Sequence, residues 1–289
     1  MERILIVGAT GMLGTNLAPY LRGLNISVVT HGNSSNADWN FDLSDNKVAL
    51  RRLSEINPTT IINLASLTNV DMCEADMHLA YLSNTHTVEV LVDWIRKNKP
   101  NCYLVHISTD HVYDGLASSS SEEEVCLVNN YAFSKYAGEL AALQIASCIL
   151  RVNFIGRSQL ISRPSFSDWI WSSAINNKEI TLFGDVFFSP LSISRLVNVI
   201  ERVLIKKIRG IFNVGAREGM SKAEFGMLLV KAFGITNCNI RVGLLSDSSN
   251  LAKRPKNMCM NVEKIENALG IELPNLKDIA REIANEYAD

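Results

Sequence analysis

Long apolar runs are absent from this 289-residue chain. None reaches the roughly 18 consecutive residues that a membrane span needs, so no transmembrane helix is expected. Paired cysteines are missing too. Cys73, Cys102, Cys126, Cys148, Cys238 and Cys259 are scattered with no C-x-x-C spacing. That scatter argues for buried free thiols over metal ligands or a disulfide framework. Excess charge of one sign is lacking, because 28 basic residues face 30 acidic ones for a net charge of −2. The balance removes the global electrostatic case for a nucleic-acid or polyanionic-membrane partner and leaves small ligands open. Neither internal repeats nor a compact ligand cluster for a metal is visible. The opening "MERILIVGATGMLG" runs into a glycine loop, not into a cleavage site, and a cytoplasmic location is expected.

What is present is ordinary globular composition, 47% hydrophobic and 20% charged, long enough for one large or two modest domains. In the first half, short β-branched runs (3–9, 26–30, 38–43, 60–65, 102–109) alternate with helical patterns (12–24, 48–56, 74–98, 131–146), followed by a further strand at 148–156. This alternation predicts an α/β fold, a Rossmann-type doubly wound parallel sheet. The second half is less regular. It holds an aromatic helix in "SFSDWIWSSAINNK", an amphipathic helix at 192–207, a strand at 210–215, and a helix opened by a Ser221/Glu224 capping box. Helix 192–207 and strand 210–215 can return to the main sheet, so the smaller α+β C-terminal substrate domain is expected to be discontinuous. The boundaries read as 1–156 plus about 188–215 for the Rossmann-type domain, and about 157–187 plus 216–289 for the smaller one. Between the halves, 116–130 reads as a loop whose "SSSSEEE" (118–124) forms a solvated lid edge.

Gly8, Gly11 and Gly14 stand between a hydrophobic strand and a helix. A dinucleotide needs this: the first glycine for the tight turn, the second for close approach of the pyrophosphate, the third for packing helix on strand. At the end of the second strand an acid would hold both ribose hydroxyls and repel a 2'-phosphate. Here no carboxylate appears before Asp38, while His31, Asn33, Ser34 and Ser35 offer hydrogen bonds. NADP is therefore expected, with NAD open.

"NNYAFSKYAG" (129–138) places Tyr131 four residues before Lys135, on one helical face. Coincidence supplies roughly 0.3 such pairs in a chain of this composition, so the weight comes from context. Ser108 and Thr109 close the fifth strand, at the edge where open α/β sheets place ligands. Glycine loop, strand-end Thr, then Tyr-x-x-x-Lys resembles the extended short-chain dehydrogenase/reductase superfamily. "GATGMLG", "NLASLTNVDMCEAD", "YLSN", "STDHVYDG", "YAFSKYAGE" and "RPKNMCMNVEKIENALGI" together are similar to the dTDP-4-dehydrorhamnose reductase group, in order and over nearly the whole chain.

That resemblance implies an NAD(P)H-dependent reductase of a nucleotide-linked 4-keto-6-deoxy sugar. It makes Tyr131 the proton donor, Lys135 its tuner and ribose anchor, Thr109 the holder of the substrate carbonyl, and Asn84 a member of the proton relay. Thr10, Met12 and Leu13 within the glycine loop, Asp42 and Leu43 near adenine, and Ala65, Ser66 and Leu67 near the ribose complete the cofactor set with Ser108. Thr68, Val70, Asp110, His111 and Phe154 fall on the sugar. Met12, Leu67, His111 and Phe154 replace the group's usual Gln, His, Tyr and Trp, and the lid lacks the usual prolines. For the diphosphate, Arg254 is the first candidate, with Arg163 and Lys253 behind it; Trp169 and Trp171 read as a core stripe or as base-stacking residues. A nucleotide sugar is the expected partner and a homodimer is open.

An ammonium ~4 to 5 Å from a phenol, at an effective dielectric of ~20, favours the phenolate by roughly 3 to 4 kcal/mol. One lysine is thus about enough to bring a tyrosine into useful range for proton transfer. A 4,6-dehydratase needs an Asp-Glu pair after the Thr, whereas Asp110 is followed by His111. An epimerase keeps the same trio, and a cofactor-binding regulatory protein without turnover is the rival from another class.

Overall fold

The computed structural model describes residues 2–33, 36–115, 118–161, 163–249 and 252–288. Seven short runs form the main sheet: β1 (Ile4–Val7), β2 (Val28–Gly32), β3 (Trp39–Asn40), β4 (Thr60–Asn63), β5 (Tyr103–Thr109), β6 (Cys148–Val152) and β7 (Gly210–Val214). Their order is β3-β2-β1-β4-β5-β6-β7. All residues of β1, β4 and β5 are buried, as a sheet covered on both faces requires. The pairs from β3 to β5 are parallel, with Val7 level with His31 and Asn63, and Asn63 level with His106. This register aligns the carboxyl ends of β1, β4 and β5. The order reverses between β1 and β4, the point at which doubly wound sheets bind ligands.

Helix α1 (Gly14–Gly23) follows β1, and α2 (Asn46–Ile56) is capped by the Asp45 carboxylate, which accepts from the Val48 N–H. Leu5, Leu53, Ile61, Leu91, Trp94, Leu104 and Ile149 share one apolar cluster. The long helix expected over 74–98 is broken. Helices Val70–Ala75 and Met77–Tyr81, a π-helical turn Leu82–His86 and helix α3 (Thr87–Asn98) succeed one another. Asp76 causes the first break: its backbone is extended and its carboxylate caps Leu79, so it ends one helix and begins the next.

The strand expected over 148–156 is also interrupted. Asn153 turns its amide to the Asp110 carboxylate, and Phe154–Ile155 pairs in parallel with Leu191–Ser192 instead. Helix α4 (Asn130–Ala142) begins where Asn129 accepts from the Ala132 N–H at 2.9 Å.

The chain divides into two compact units: 1–109, 129–151 and 197–212 in the first, and 110–128, 152–196 and 213–289 in the second. These limits differ from those expected over 110–128, 152–156, 188–196 and 213–215. Segment 110–128 joins the second unit because Ser120 exchanges backbone hydrogen bonds with Cys259 and Asn261, and Glu122 accepts from the Asn213 N–H. The "SSSSEEE" stretch is therefore no simple solvated edge, since Ser120 and Glu122 are buried. Within the second unit a small sheet sets Phe187–Phe188 between Met220–Ser221 and Asn257–Met258. No helix among the described residues is long and apolar enough to cross a membrane.

Candidate active site

The three glycines of the β1–α1 turn have different reasons to be glycine. Gly8 has φ +76°, and a Cβ there would sit 2.7 Å from the Ala65 nitrogen. At Gly14 a Cβ would meet the Ala9 backbone at 2.5 Å. Packing of the chain on itself therefore fixes both. A Cβ on Gly11 would meet only the Gly8 carbonyl oxygen, at 3.4 Å. Its missing side chain leaves open space in front of α1, whose start has no side-chain cap and no acid in its first turn. A pyrophosphate fits such a cradle. Thr10 and Met12 are partly exposed beside it and Leu13 is buried.

At the end of β2 the picture differs from expectation at His31. Its ring is buried, its Nε2 meets the Phe41 carbonyl oxygen at 2.9 Å, and burial pushes its pKa down. A neutral, buried imidazole does not present a charge to a phosphate. Asn33 is exposed; Ser34 and Ser35 lie outside the described residues. The first acid, Asp38, is tied back to mid-strand, accepting from the Thr30 N–H and hydroxyl at 2.9 Å and from Arg22 at 2.8 Å. It is thus turned away from the strand end. Asp42 is exposed, receiving Ser44, and Leu43 is buried.

After β4, the Ser66–Leu67 backbone is clamped by Asn84 on the π-helical turn. The Asn84 Oδ1 accepts from the Ser66 hydroxyl at 2.9 Å and the Leu67 N–H at 2.8 Å. Its Nδ2 donates to the Leu67 carbonyl at 3.1 Å and the Ser134 hydroxyl at 3.0 Å. The amide is fully engaged by protein groups, so the side chain shapes the loop rather than reaching outward. Tyr131 packs with Cys73, Ala80, Leu67 and Val70. Residues expected for cofactor, substrate and proton donation therefore meet in one cluster; Thr68 is exposed beside it.

The Asn129 cap sets Tyr131 in the first turn of α4, at the positive end of the helix dipole. One turn on, Lys135 is 2% exposed and donates from Nζ to the Ile107 carbonyl at 2.7 Å. That carbonyl lies two residues before the buried Thr109. Burial pushes the Lys135 pKa down to about 8, against the pull of Glu139. His106, beneath it, takes the Asn63 amide on Nδ1 at 3.1 Å and is held neutral by burial and by the lysine charge. Ser108, expected to face the cofactor, donates its hydroxyl to Glu139 instead.

The remaining expected residues belong to the second unit. Asp110 and His111 form a 3-10 turn directly after Thr109, and the 2.5 Å bond from Asn153 holds Asp110. Burial, then the charges of Lys222 and Arg254, push His111 down to about 3. Lys222, which no motif announced, opens the helix Lys222–Ala232 and places its ammonium 6.0 Å from the centroid of the Phe188 ring. Burial lowers its pKa, Asp110 raises it and Arg254 lowers it again. Phe154 is half-buried and Arg163 exposed. Trp171 packs against Phe233 and Tyr287 at 5.0 and 5.3 Å between centroids, which makes it core.

A glycine turn at the reversal point of a doubly wound sheet, with a Tyr-x-x-x-Lys helix beside the strand that ends in Thr109, defines an extended short-chain dehydrogenase/reductase. The model of the RmlD substrate binding domain family matches residues 1–288, and the chain belongs to that family. It is 25% identical over 296 residues to a probable low-salt glycan biosynthesis reductase, Agl14, of Haloferax volcanii, covering 98% of each chain. With a dTDP-4-dehydrorhamnose reductase of Aggregatibacter actinomycetemcomitans it shares 27% over 293 residues, 94% of this chain and 95% of the other. The crystal structure of a dTDP-4-dehydrorhamnose reductase from Clostridium acetobutylicum has the same fold, with a TM-score of 0.90 at 24% identity over the full length of both.

Proposed function

We propose that this protein is an NADPH-dependent reductase of a nucleotide-linked 4-keto-6-deoxy sugar. The observation that carries the proposal is the pinning of Lys135 to the Ile107 carbonyl, which fixes an ammonium one helical turn from Tyr131 and two residues short of Thr109. Membership of the family, and relatives that are reductases by name, support it. When bound, the nicotinamide cofactor supplies the hydride. Gly11 and the start of α1 receive its pyrophosphate, and the Ser66–Leu67 loop held by Asn84 borders its ribose. Tyr131 gives its proton to the carbonyl oxygen, Lys135 stabilises the phenolate left behind, and the Thr109 hydroxyl holds the same oxygen as charge grows on it. NADP is preferred because Asp38, bound to Thr30 and Arg22, offers no carboxylate to repel a 2'-phosphate.

In the second unit, Arg254 and Lys222 are proposed to receive the diphosphate. A cavity of about 460 Å³ lined by Asp114, Ser246, Ser248, Lys253, Arg254 and Lys256 has the net positive charge that this requires. A nucleotide-sugar substrate and six unbridged thiols suit a reducing compartment such as the cytoplasm. The test is oxidation of NADPH and NADH, in parallel, over a panel of nucleotide 4-keto sugars. Turnover that requires such a sugar and favours NADPH supports the reading; tight cofactor binding without turnover on any sugar sinks it. Sedimentation of the purified chain decides whether it works as the homodimer.

A further inference from the structure

Tyr131, Lys135 and Glu139 recur every fourth residue on α4 and so share one face of it. The third is 0% exposed. Arg151, from β6, closes on its carboxylate with Nε 3.0 Å from Oε1 and Nη2 2.7 Å from Oε2. Ser108, the residue before Thr109, donates its hydroxyl to Oε1. As a plain tie between helix and strand this is a weak choice, since packed apolar side chains of the same volume hold as well or better than a buried ion pair. What an apolar tie lacks is a negative charge one helical turn from a buried ammonium.

We propose that Glu139, clamped by Arg151 and Ser108, is a positioning residue that keeps the Lys135 ammonium charged and aimed along β5, and thereby acts on Tyr131 at one remove. The inference rests on the reductase reading for its consequence in catalysis, but not for its electrostatics. Lys135 faces Tyr131 and Glu139 from its own helix, and His106 with the Ile107 carbonyl from β5. The nearby Asn84 and Ser134 are uncharged, and His106 is neutral, so Glu139 is the acid that opposes desolvation of the ammonium. Arg151 offsets part of that charge.

Two substitutions then act with opposite signs. Glu139→Gln removes the negative charge, and the Lys135 titration, followed by the 13Cε resonance of labelled lysine in the intact chain, moves down by about one pH unit. Arg151→Met removes the offset, and the titration moves up. The alkaline limb of kcat/KM follows in both cases, whereas a purely structural pair would lower stability and leave the limb in place. Should Arg151→Met not fold, the milder Ser108→Ala strips one donor from Glu139 and must also move the titration up. A titration that stays put, or moves the same way in the charged-partner variants, overturns the proposal. Because the resonance is read without substrate, absence of turnover on every sugar leaves this test standing, and normal turnover with an unmoved titration sinks the positioning role alone.

Discussion

Several buried polar side chains of the first unit are held by hydrogen bonds within it, although the His31 Nδ1 and the His106 Nε2 lack a partner among the described residues, while the cations gathered around Asp110 in the second unit repel one another in part. Asn84 uses both ends of its amide, Lys135 is pinned to a carbonyl, and Ser108, Glu139 and Arg151 close a network. By contrast, the Arg254 charge works against that of Lys222, and both push His111 down. The first arrangement is organised before any ligand arrives, as proton transfer demands. The second sets the cations Lys222 and Arg254 near the Asp110 carboxylate, an arrangement that suits the anionic ligand proposed above. On the proposed reading, chemistry and recognition are built on opposite electrostatic terms.

The sharpest way to break this contrast is at the proton donor. Tyr131→Phe keeps the apolar packing against Leu67 and Val70 and removes the acidic hydroxyl, so kcat is expected to fall by about 10³-fold with cofactor affinity little changed. Stopped-flow turnover with fluorescence titration of NADPH checks both halves. Next in size is the glycine pair. Gly14→Ala forces a Cβ into the Ala9 backbone at 2.5 Å and is expected to cost about 3 kcal/mol of stability, read as a lower urea midpoint. Gly11→Ala meets nothing closer than 3.4 Å in the protein, so it should melt like the parent while binding cofactor at least about tenfold more weakly. Equal loss of stability in the two would remove the claim that Gly11 serves a ligand.

Acid acts on both units through buried histidines. His111 is held to about 3 in the folded chain, against an ordinary value of 6.5. An unfolded chain binds that proton first, so the stability the neutral ring contributes is complete above pH 6.5 and is lost as pH falls toward 3. Between pH 8 and pH 5 the loss from His111 alone is about 2 kcal/mol. His31 and His106, lowered by burial in the first unit, act in the same direction. Urea unfolding at the two pH values tests this, and a His111→Asn variant whose stability has the same pH dependence as the parent would remove His111 from the account.

Much of the first unit was legible because local pattern and tertiary role coincide there. Apolar runs buried on both faces announce β1, β4 and β5, and the glycines at 8 and 14 are demanded by backbone contacts that any sequence of this fold must meet. The breaks were less legible. Asp76 and Asn153 interrupt elements through side-chain bonds to groups whose position depends on the fold. His31 has the right residue type in the right place, yet its ring turns inward to Phe41. Glu139 lay in plain view four residues past Lys135, but its meaning depends on Arg151 and Ser108 arriving from other strands. Lys222 gave no signal at all, since the capping box around it accounts for its neighbours and not for the ammonium.

Lys222 is also where the contrast between the units meets its finest test. Its helix begins beside the strand Phe187–Phe188, with Asn257–Met258 on the other side of that strand and Arg254 just ahead of it in the chain. A charge-assisted hydrogen bond to a phosphate oxygen contributes roughly 1.5 to 3 kcal/mol, and a half-buried lysine falls at the lower end. Lys222→Met should therefore raise KM for the nucleotide sugar about tenfold and leave kcat within about twofold, with the free nucleoside diphosphate weakened in proportion. Removing one like charge must also let the His111 titration rise, which NMR of the imidazole reads without substrate. If kcat falls instead and KM holds, Lys222 acts on the reacting carbonyl and the division between prebuilt chemistry and charged recognition fails at this residue.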